Sequence, residues 1–521
     1  MRKINLLSGT IITILFLLFG SRIGLTTASD YPWIIFSTYI GGNGADGTGS
    51  IAFDSDGNIV ITTFVDSTNF PVNNAYQPIS AGGVDIVVFK LSSDGQELIF
   101  STYFGGSNDD YSYSIALDSN DNIIITGSTS STDFPITQNA FQPKKSSNTY
   151  DVFIVQLSAD GQSLLYSSFI GGGNDKFIAT ELLLDSSENR IIAGSTSSSD
   201  FPINKAYQEV KGTFSDAFIT KLSADGQTLL YSTYFGGNGS EQIRHLALDS
   251  SNNIIFCGFT SSTDFPTLNA IQATKSLDEY DTFIAKLSSD GQTLLFSTLF
   301  GGCREYALNN LILDKYNNIL VVGETSSIDF PITDAYQQEY GGGSSDAFLS
   351  KLTEDGQELI FSTYIGGRGS DNAFSVVVDD NENIVLSGST SSSDFPLVNH
   401  YQENDHGWDV FITKFNSDGS QMFFSTYLAG NGADFCEEIA INNTDDTLIV
   451  SGHTSSWNFP TKNAYQSSYA GGEFDSFICK LAMNVSTITS EDDGGSVPSF
   501  QIIAVIVSVT ILVVRRKKGF M

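Results

Sequence analysis

Cysteine, histidine and tryptophan are scarce in this chain of 521 residues, at four, four and three. Cys257, Cys303, Cys436 and Cys479 form no CxxC pair, so neither a disulfide framework nor a thiolate zinc site is legible. Cys257 and Cys479 sit in strand patterns as small buried hydrophobes, while a bridge involving Cys303 or Cys436 stays open in an oxidising compartment. His245, His400, His406 and His453 show no HxxxH spacing and no Ser-His-Asp elbow, which argues against metal and triad chemistry. Positive charge is also short, with 25 Lys and Arg against 59 Asp and Glu and a net charge of −34. Arg2, Lys3, Arg22 and the run Arg515 to Lys518 take seven of those positives to the two ends, leaving the middle more acidic still. Such a surface repels nucleic acid and anionic lipid; it favours solubility or the recruitment of cations.

Between the ends no helical periodicity appears, and Gly, Ser, Thr and Asn stand where helix formers would be, which points to an all-β protein. What is present instead is repetition. A segment of the type aromatic-Ser-Thr-Tyr-x-Gly-Gly begins at Phe36, Phe100, Tyr166, Tyr231, Phe296, Phe361 and Phe424, in steps of 63 to 66 residues. An Asp/Asn-Phe-Pro segment places Pro71, Pro135, Pro202, Pro266, Pro331, Pro396 and Pro460 at the same period. One supersecondary unit stacked on copies of itself accounts for this.

Each unit reads as four strands: a around Leu246, b from Ile254, c around Phe283 and d around Phe296, joined by short a–b and c–d turns and a long b–c loop. The chain opens with a d strand at Ile34 to Tyr39 and ends with a c strand at Leu481. That offset lets the first strand complete the last unit, and the expectation is a seven-bladed β-propeller, four antiparallel strands per blade, over residues 29–482. The words Asp-x-Phe-Ile-x-Lys-Leu-x-x-Asp-Gly, Phe-Ser-Thr-Tyr-x-Gly-Gly and Asp-x-x-Asn-Ile-x-x-x-Gly-x-Thr-x-Ser-x-Asp-Phe-Pro resemble the SBBP β-propeller repeats of bacterial and archaeal surface proteins. The resemblance spans residues 34 to 482 and implies the fold; it implies no particular activity.

Residues 1–28 have a basic start, an apolar stretch and a small-residue site, the pattern of a signal peptide. Residues 483–498 read as a polar, acidic stalk, 499–514 as a transmembrane helix and 515–521 as a basic cytoplasmic tail. This end resembles the sorting tails of archaeal surface proteins, with Ser499 where their Pro-Gly-Phe motif has glycine. The expectation is a single-pass cell-surface protein with its propeller outside. Asn238, Asn442 and Asn484 head glycosylation sequons in keeping with that address.

Candidate sites follow from the topology. The b–c and d–a loops share one face, where ligands should bind. An acid recurs in every d–a loop, Asp46, Asp110, Asp175, Glu241, Glu305, Asp371 and Asp434, either as a ring holding a cation or as turn caps. Arg244, Arg304 and Arg368 occupy the same loops of blades four to six and form a candidate carboxylate receptor, for example for an acidic sugar. Calcium is a candidate at the most carboxylate-rich a–b turns, Asp54 with Asp56 and Asp379 with Asp380. The Phe-Pro loops are expected to pack onto the neighbouring blade, and the Asp-Gly of each c–d turn to supply a positive φ. The functional expectation is a non-catalytic surface module binding a glycan or a surface protein. The alternatives are a sialidase-like glycan-cleaving propeller and a purely structural surface-layer component.

Overall fold

The computed structural model describes residues 33–483, apart from 48, 147–148, 174–178, 277–278, 303–304, 404–406 and 443–444. The signal peptide, nearly all of the stalk, the anchor and the basic tail therefore lie outside the described residues. Among the described residues no helix is long and apolar enough to cross a membrane.

Seven four-stranded antiparallel sheets follow one another as blades 1 to 7. Blade 4 is typical, with a at Glu241–Leu248, b at Ile254–Thr260, c at Asp281–Leu287 and d at Leu294–Leu299. Blade 7 takes a, b and c from Asp434–Asn442, Thr447–Thr454 and Asp475–Ala482, and its d strand is Ile34–Ile40 from the start of the chain. Ile34 pairs with Leu481 and Ile40 with Ser476, as the displaced first strand leads one to expect.

The core lies between blades rather than within them. One apolar cluster joins Ile191, Ala193 and Phe235 of blade 3 to Leu246, Phe256 and Phe283 of blade 4. Another joins Phe36, Ile40, Ile449 and Ile478 of blade 7 to Ile59, Val87 and Phe89 of blade 1, so the last interface is as apolar as the others. Each buried Phe or Ile contributes on the order of 1.5–3 kcal/mol, and every blade spends both sheet faces this way.

The recurring words hold these interfaces in register. In each Phe-Ser-Thr-Tyr strand of blade 1 type, the tyrosine ties down its own b–c loop: Tyr103 Oη donates to Ser67 O at 2.8 Å and accepts from Phe70 N at 3.0 Å. The Phe of Phe-Pro is buried between blades. Phe134 lies 4.7 Å from Phe153 of its own blade and edge-on, 5.3 Å, to Phe104 of the preceding one. The loop beyond it also runs beside its own strand d, with bridges such as Asn73 to Ser101, so the packing is shared between both blades. Cys257, Cys436 and Cys479 are buried free thiols, which removes Cys436 from any bridge; Cys303 lies outside the described residues.

Candidate functional site

The d–a loop acids turn inward. Asp46, Asp110, Glu241, Asp371 and Asp434 are at most 1% exposed. Each accepts a hydrogen bond from the second residue of the Gly-Gly pair of its own loop (Ala-Gly in blade 7), Gly42, Gly106, Gly237, Gly367 or Gly430, at 2.6–3.1 Å. A serine of the following b–c loop, such as Ser67 at 2.8 Å or Ser392 at 2.7 Å, donates as well. These carboxyls staple the d–a loop to the b–c loop, the turn-capping alternative, and they form no open ring for a cation. Burial pushes Asp110 and Asp434 up to about 6. Asp175 and the Glu305 side chain lie outside the description.

The a–b turns hold an internal cation of their own. Asp54 receives Asn58 at 3.0 Å and the ammonium of Lys90, from strand c, at 2.9 Å. Asp379 does the same with Asn383 and Lys414, both at 2.9 Å. Lysine thus stands where calcium was a candidate, while Asp56 and Asp380 are exposed beside it. Among the described residues no group of three or more His, Cys, Asp or Glu side chains is placed to hold a metal ion. Burial would raise Asp54, but the bonds from Asn58 and Lys90 outweigh it and hold the carboxyl below its ordinary value.

The two described arginines of the trio do not gather. Arg368 is a surface group, 88% exposed, with Nε 3.5 Å from Asp394. Arg244 sits on strand a of blade 4 with its guanidinium 5.4 Å from the centre of the Phe259 ring. Arg304 lies outside the described residues. Of the sequons, Asn238 is exposed and bonded to Asp264, Asn442 is buried at the end of its strand and closed to a glycan, and Asn484 is undescribed.

A different set of residues comes together along the axis. In blades 2 to 7 strand a carries a β-bulge, for instance between Ser112 and Ser114 or between Cys436 and Glu438. A bulge re-aims two consecutive side chains, and here it does so on the innermost strand of the propeller. By register with strand b the bulged column reads Gly49, Tyr113, Thr180, Arg244, Asn309, Phe374 and Glu437 around the seven blades. The next column reads Ser50, Ser114, Glu181, His245, Asn310, Ser375 and Glu438.

Many of these side chains line a cavity of about 510 Å³ that also touches Ala45 and Gly47 of a d–a loop and Phe474 at the end of a b–c loop, so it opens toward the loop-rich face. Glu181 accepts from Ser114 Oγ at 2.7 Å and lies 3.2 Å from His245 Nε2. Across the opening, Glu437 lies 3.1 Å from His453 Nδ1, and the His453 ring stacks on Phe435 at 5.0 Å with Phe474 edge-on at 4.9 Å. Glu438 accepts the Ile51 N–H at 2.8 Å. Burial first, then the nearby charges of Glu181 and Glu437, push Glu438 up to about 8.

Tyr113, Glu181, His245, Asn309, Asn310, Phe374, Glu437 and Glu438 were not singled out as a group by the sequence, though a signal existed. When the seven a strands are superposed, these two columns vary more than the positions around them, although serine stands in three blades of the second.

The SBBP family model, described as a beta-propeller repeat, matches residues 99–135 and 360–396. No curated protein matches the chain. Among solved structures, a protein of unknown function from Dyadobacter fermentans is 12% identical over 86% of this chain and 98% of its own, with a TM-score of 0.40. The polysaccharide lyase Uly1 is 8% identical over 89% and 94%, with a TM-score of 0.44. A PL25 ulvan lyase solved with -[GlcA(1-4)Rha3S]- is 10% identical over 84% and 95%, also at 0.44. At this distance the likenesses carry no argument about what this chain binds.

Proposed function

We propose that this seven-bladed propeller of SBBP-type repeats is a binding module that takes a carbohydrate in the mouth of its central channel. One observation supports the reading above others: the blades are alike at most positions where they hold one another and differ far more where their inner strands face the cavity. Packing alone would favour the same residue in every copy, as it does for the six Asp-Gly turns and the seven Phe-Pro loops. The unlike residues are hydrogen-bonding amides, carboxylates and imidazoles beside the aromatic faces of Phe64, Phe374 and Phe474, a lining that suits hydroxyl groups and sugar rings. A volume of about 510 Å³ suits one or two sugar units.

Display outside the cell belongs to the same proposal, with residues 1–28 as signal peptide, 499–514 as anchor and 515–521 inside. Protease added to intact cells would then digest the propeller and spare the basic tail; an untouched propeller would place it elsewhere. Binding of residues 29–497 to an array of glycans is the test of the main reading. Saturable binding that Asn309→Ala and Tyr113→Ala weaken at least tenfold, about 1.4 kcal/mol, is the expected outcome. Silence across the array would move the weight to a protein ligand or a surface-layer role.

Cleavage of the bound glycan is a second reading, favoured by two channel carboxyls in unlike surroundings. Glu181 is paired with His245, whereas Glu438 is held in its protonated form, the division of labour that an acid and a base require. New reducing ends from a bound polysaccharide, lost in Glu438→Gln, would mark it; intact polysaccharide after prolonged incubation would leave the binding reading alone.

A further inference from the structure

We propose that the ligand of the channel carries a positive charge, an ammonium group on a sugar, and that Glu438 is its counter-ion. This rests on the channel being the carbohydrate site and goes on to name the class of sugar.

Charge within the channel is the first support. Three glutamates reach the cavity, and no lysine does. His245 is taken by Glu181 at 3.2 Å and His453 by Glu437 at 3.1 Å. Glu438 is left with the Ile51 N–H at 2.8 Å and the Ser50 hydroxyl, polar partners that bring no full charge. Arg244, the one arginine of the inner columns, lies over the Phe259 ring instead, with Glu324 the acid whose charge it feels. Tyr113 is kept neutral by burial, and Asp46, at the rim, is committed to Gly42 and Ser67. A carboxylate so placed is costly to ionise, and without a cationic partner that cost is avoided by keeping the proton on Glu438. An incoming ammonium offers the other solution: it pairs with the carboxylate and the proton leaves to solvent.

Shape and field point the same way. Phe64, Phe374 and Phe474 present aromatic surface to the same cavity, and aromatic faces attract cations as well as sugar C–H groups. With a net charge of −34 the molecule as a whole draws cations toward its clefts and repels anions. The acidic sugar expected from an arginine trio would meet both this field and three glutamates.

The experiment is calorimetric titration of the full chain with oligomers of glucosamine and, separately, with the same oligomers N-acetylated. At about pH 6 Glu438 holds its proton and an amine holds its charge. The expected result is saturable binding of the amine form, at least tenfold tighter than the acetylated form. About one proton should be released per site, read from the difference between buffers of unlike ionisation enthalpy. Glu438→Gln retains the acceptor for Ile51 N–H and should abolish both the proton release and the preference for the amine. If that variant melts early, the proton count on the native chain still decides. Equal binding of both oligomers with no proton released would overturn the charged-ligand inference and leave the carbohydrate reading standing. Binding of neither would remove both.

Discussion

Gln156 and Arg190 show how single residues answer one another across a blade boundary. Six blades place a lysine of strand c against the aspartate of the a–b turn: Lys90, Lys221, Lys286, Lys351, Lys414 and Lys480, at 2.6–2.9 Å. Blade 2 has Gln156 there, with Nε2 donating to Asp118 at 2.8 Å. The missing charge comes from the next blade. Arg190 begins strand b of blade 3, where blades 1, 2, 4, 5 and 6 have isoleucine, and it is 0% exposed. Its Nη2 donates to Gln156 Oε1 at 2.5 Å and its guanidinium lies 5.0 Å from the centre of the Tyr166 ring. Arg190→Ile alone strands Asp118 with an amide, and Gln156→Lys alone sets two buried cations side by side. Each should cost roughly 1–3 kcal/mol in urea denaturation, whereas the double variant, which restores the repeat pattern, should recover most of the loss. Simple additivity of the two losses would show that the pair is not coupled.

The c–d hairpin is the element in which one glycine serves two purposes. Gly291 has φ +70°, and a Cβ there would stand 2.4 Å from the Tyr231 ring of the preceding blade. The same close approach recurs at Gly95 on Phe36 and Gly161 on Phe100. Gly291→Ala should therefore cost more than the ~1 kcal/mol of an unfavourable φ alone, on the order of 2–4 kcal/mol, because the ring must also move. A loss below ~1 kcal/mol in chemical denaturation would mean that the interface yields easily. The positive φ was legible from the Asp-Gly pair; the ring against it was not, since it belongs to a strand some 60 residues earlier in the chain. The same division runs through the molecule. Strand order, blade count and the borrowed first strand were readable because they follow from period and alternation. The lysine in each a–b turn and the glutamates of the channel were not, because a bulge in strand a and the stacking of blades decide which side chains meet. Recurring acids such as Asp371 and Asp434 drew attention by their repetition, and repetition here marks what holds blades together.

At the scale of the whole propeller, buried carboxyls set the response to pH. Burial pushes Asp346 and Asp475 up to about 7 and Asp110 and Asp434 up to about 6, against an ordinary value near 4. A raised carboxyl binds its proton more tightly in the folded chain, so its contribution is full below about pH 4 and is lost as pH rises through 6 to 7. The turn aspartates act in the opposite sense. Burial opposes them, but lysine and asparagine bonds hold Asp249 and Asp314 low, and their contribution is lost only as pH falls below about 4. The melting temperature should therefore peak near about pH 5 and decline toward pH 8, a trend that easing the self-repulsion of a −34 molecule reinforces. A scanning-calorimetry series that is flat or rising over that interval would contradict the assignment. The borrowed strand has a consequence in time. Ile34–Ile40 leaves the ribosome before every other strand of the propeller, and its partner, Asp475–Ala482, after all of them. A growing chain can build blades 1 to 6 in order, each on the one before, yet until the last blade emerges its first strand is an unpaired edge. The ring is finished by a single late meeting of its oldest and youngest strands, and until then every blade is waiting on the last one.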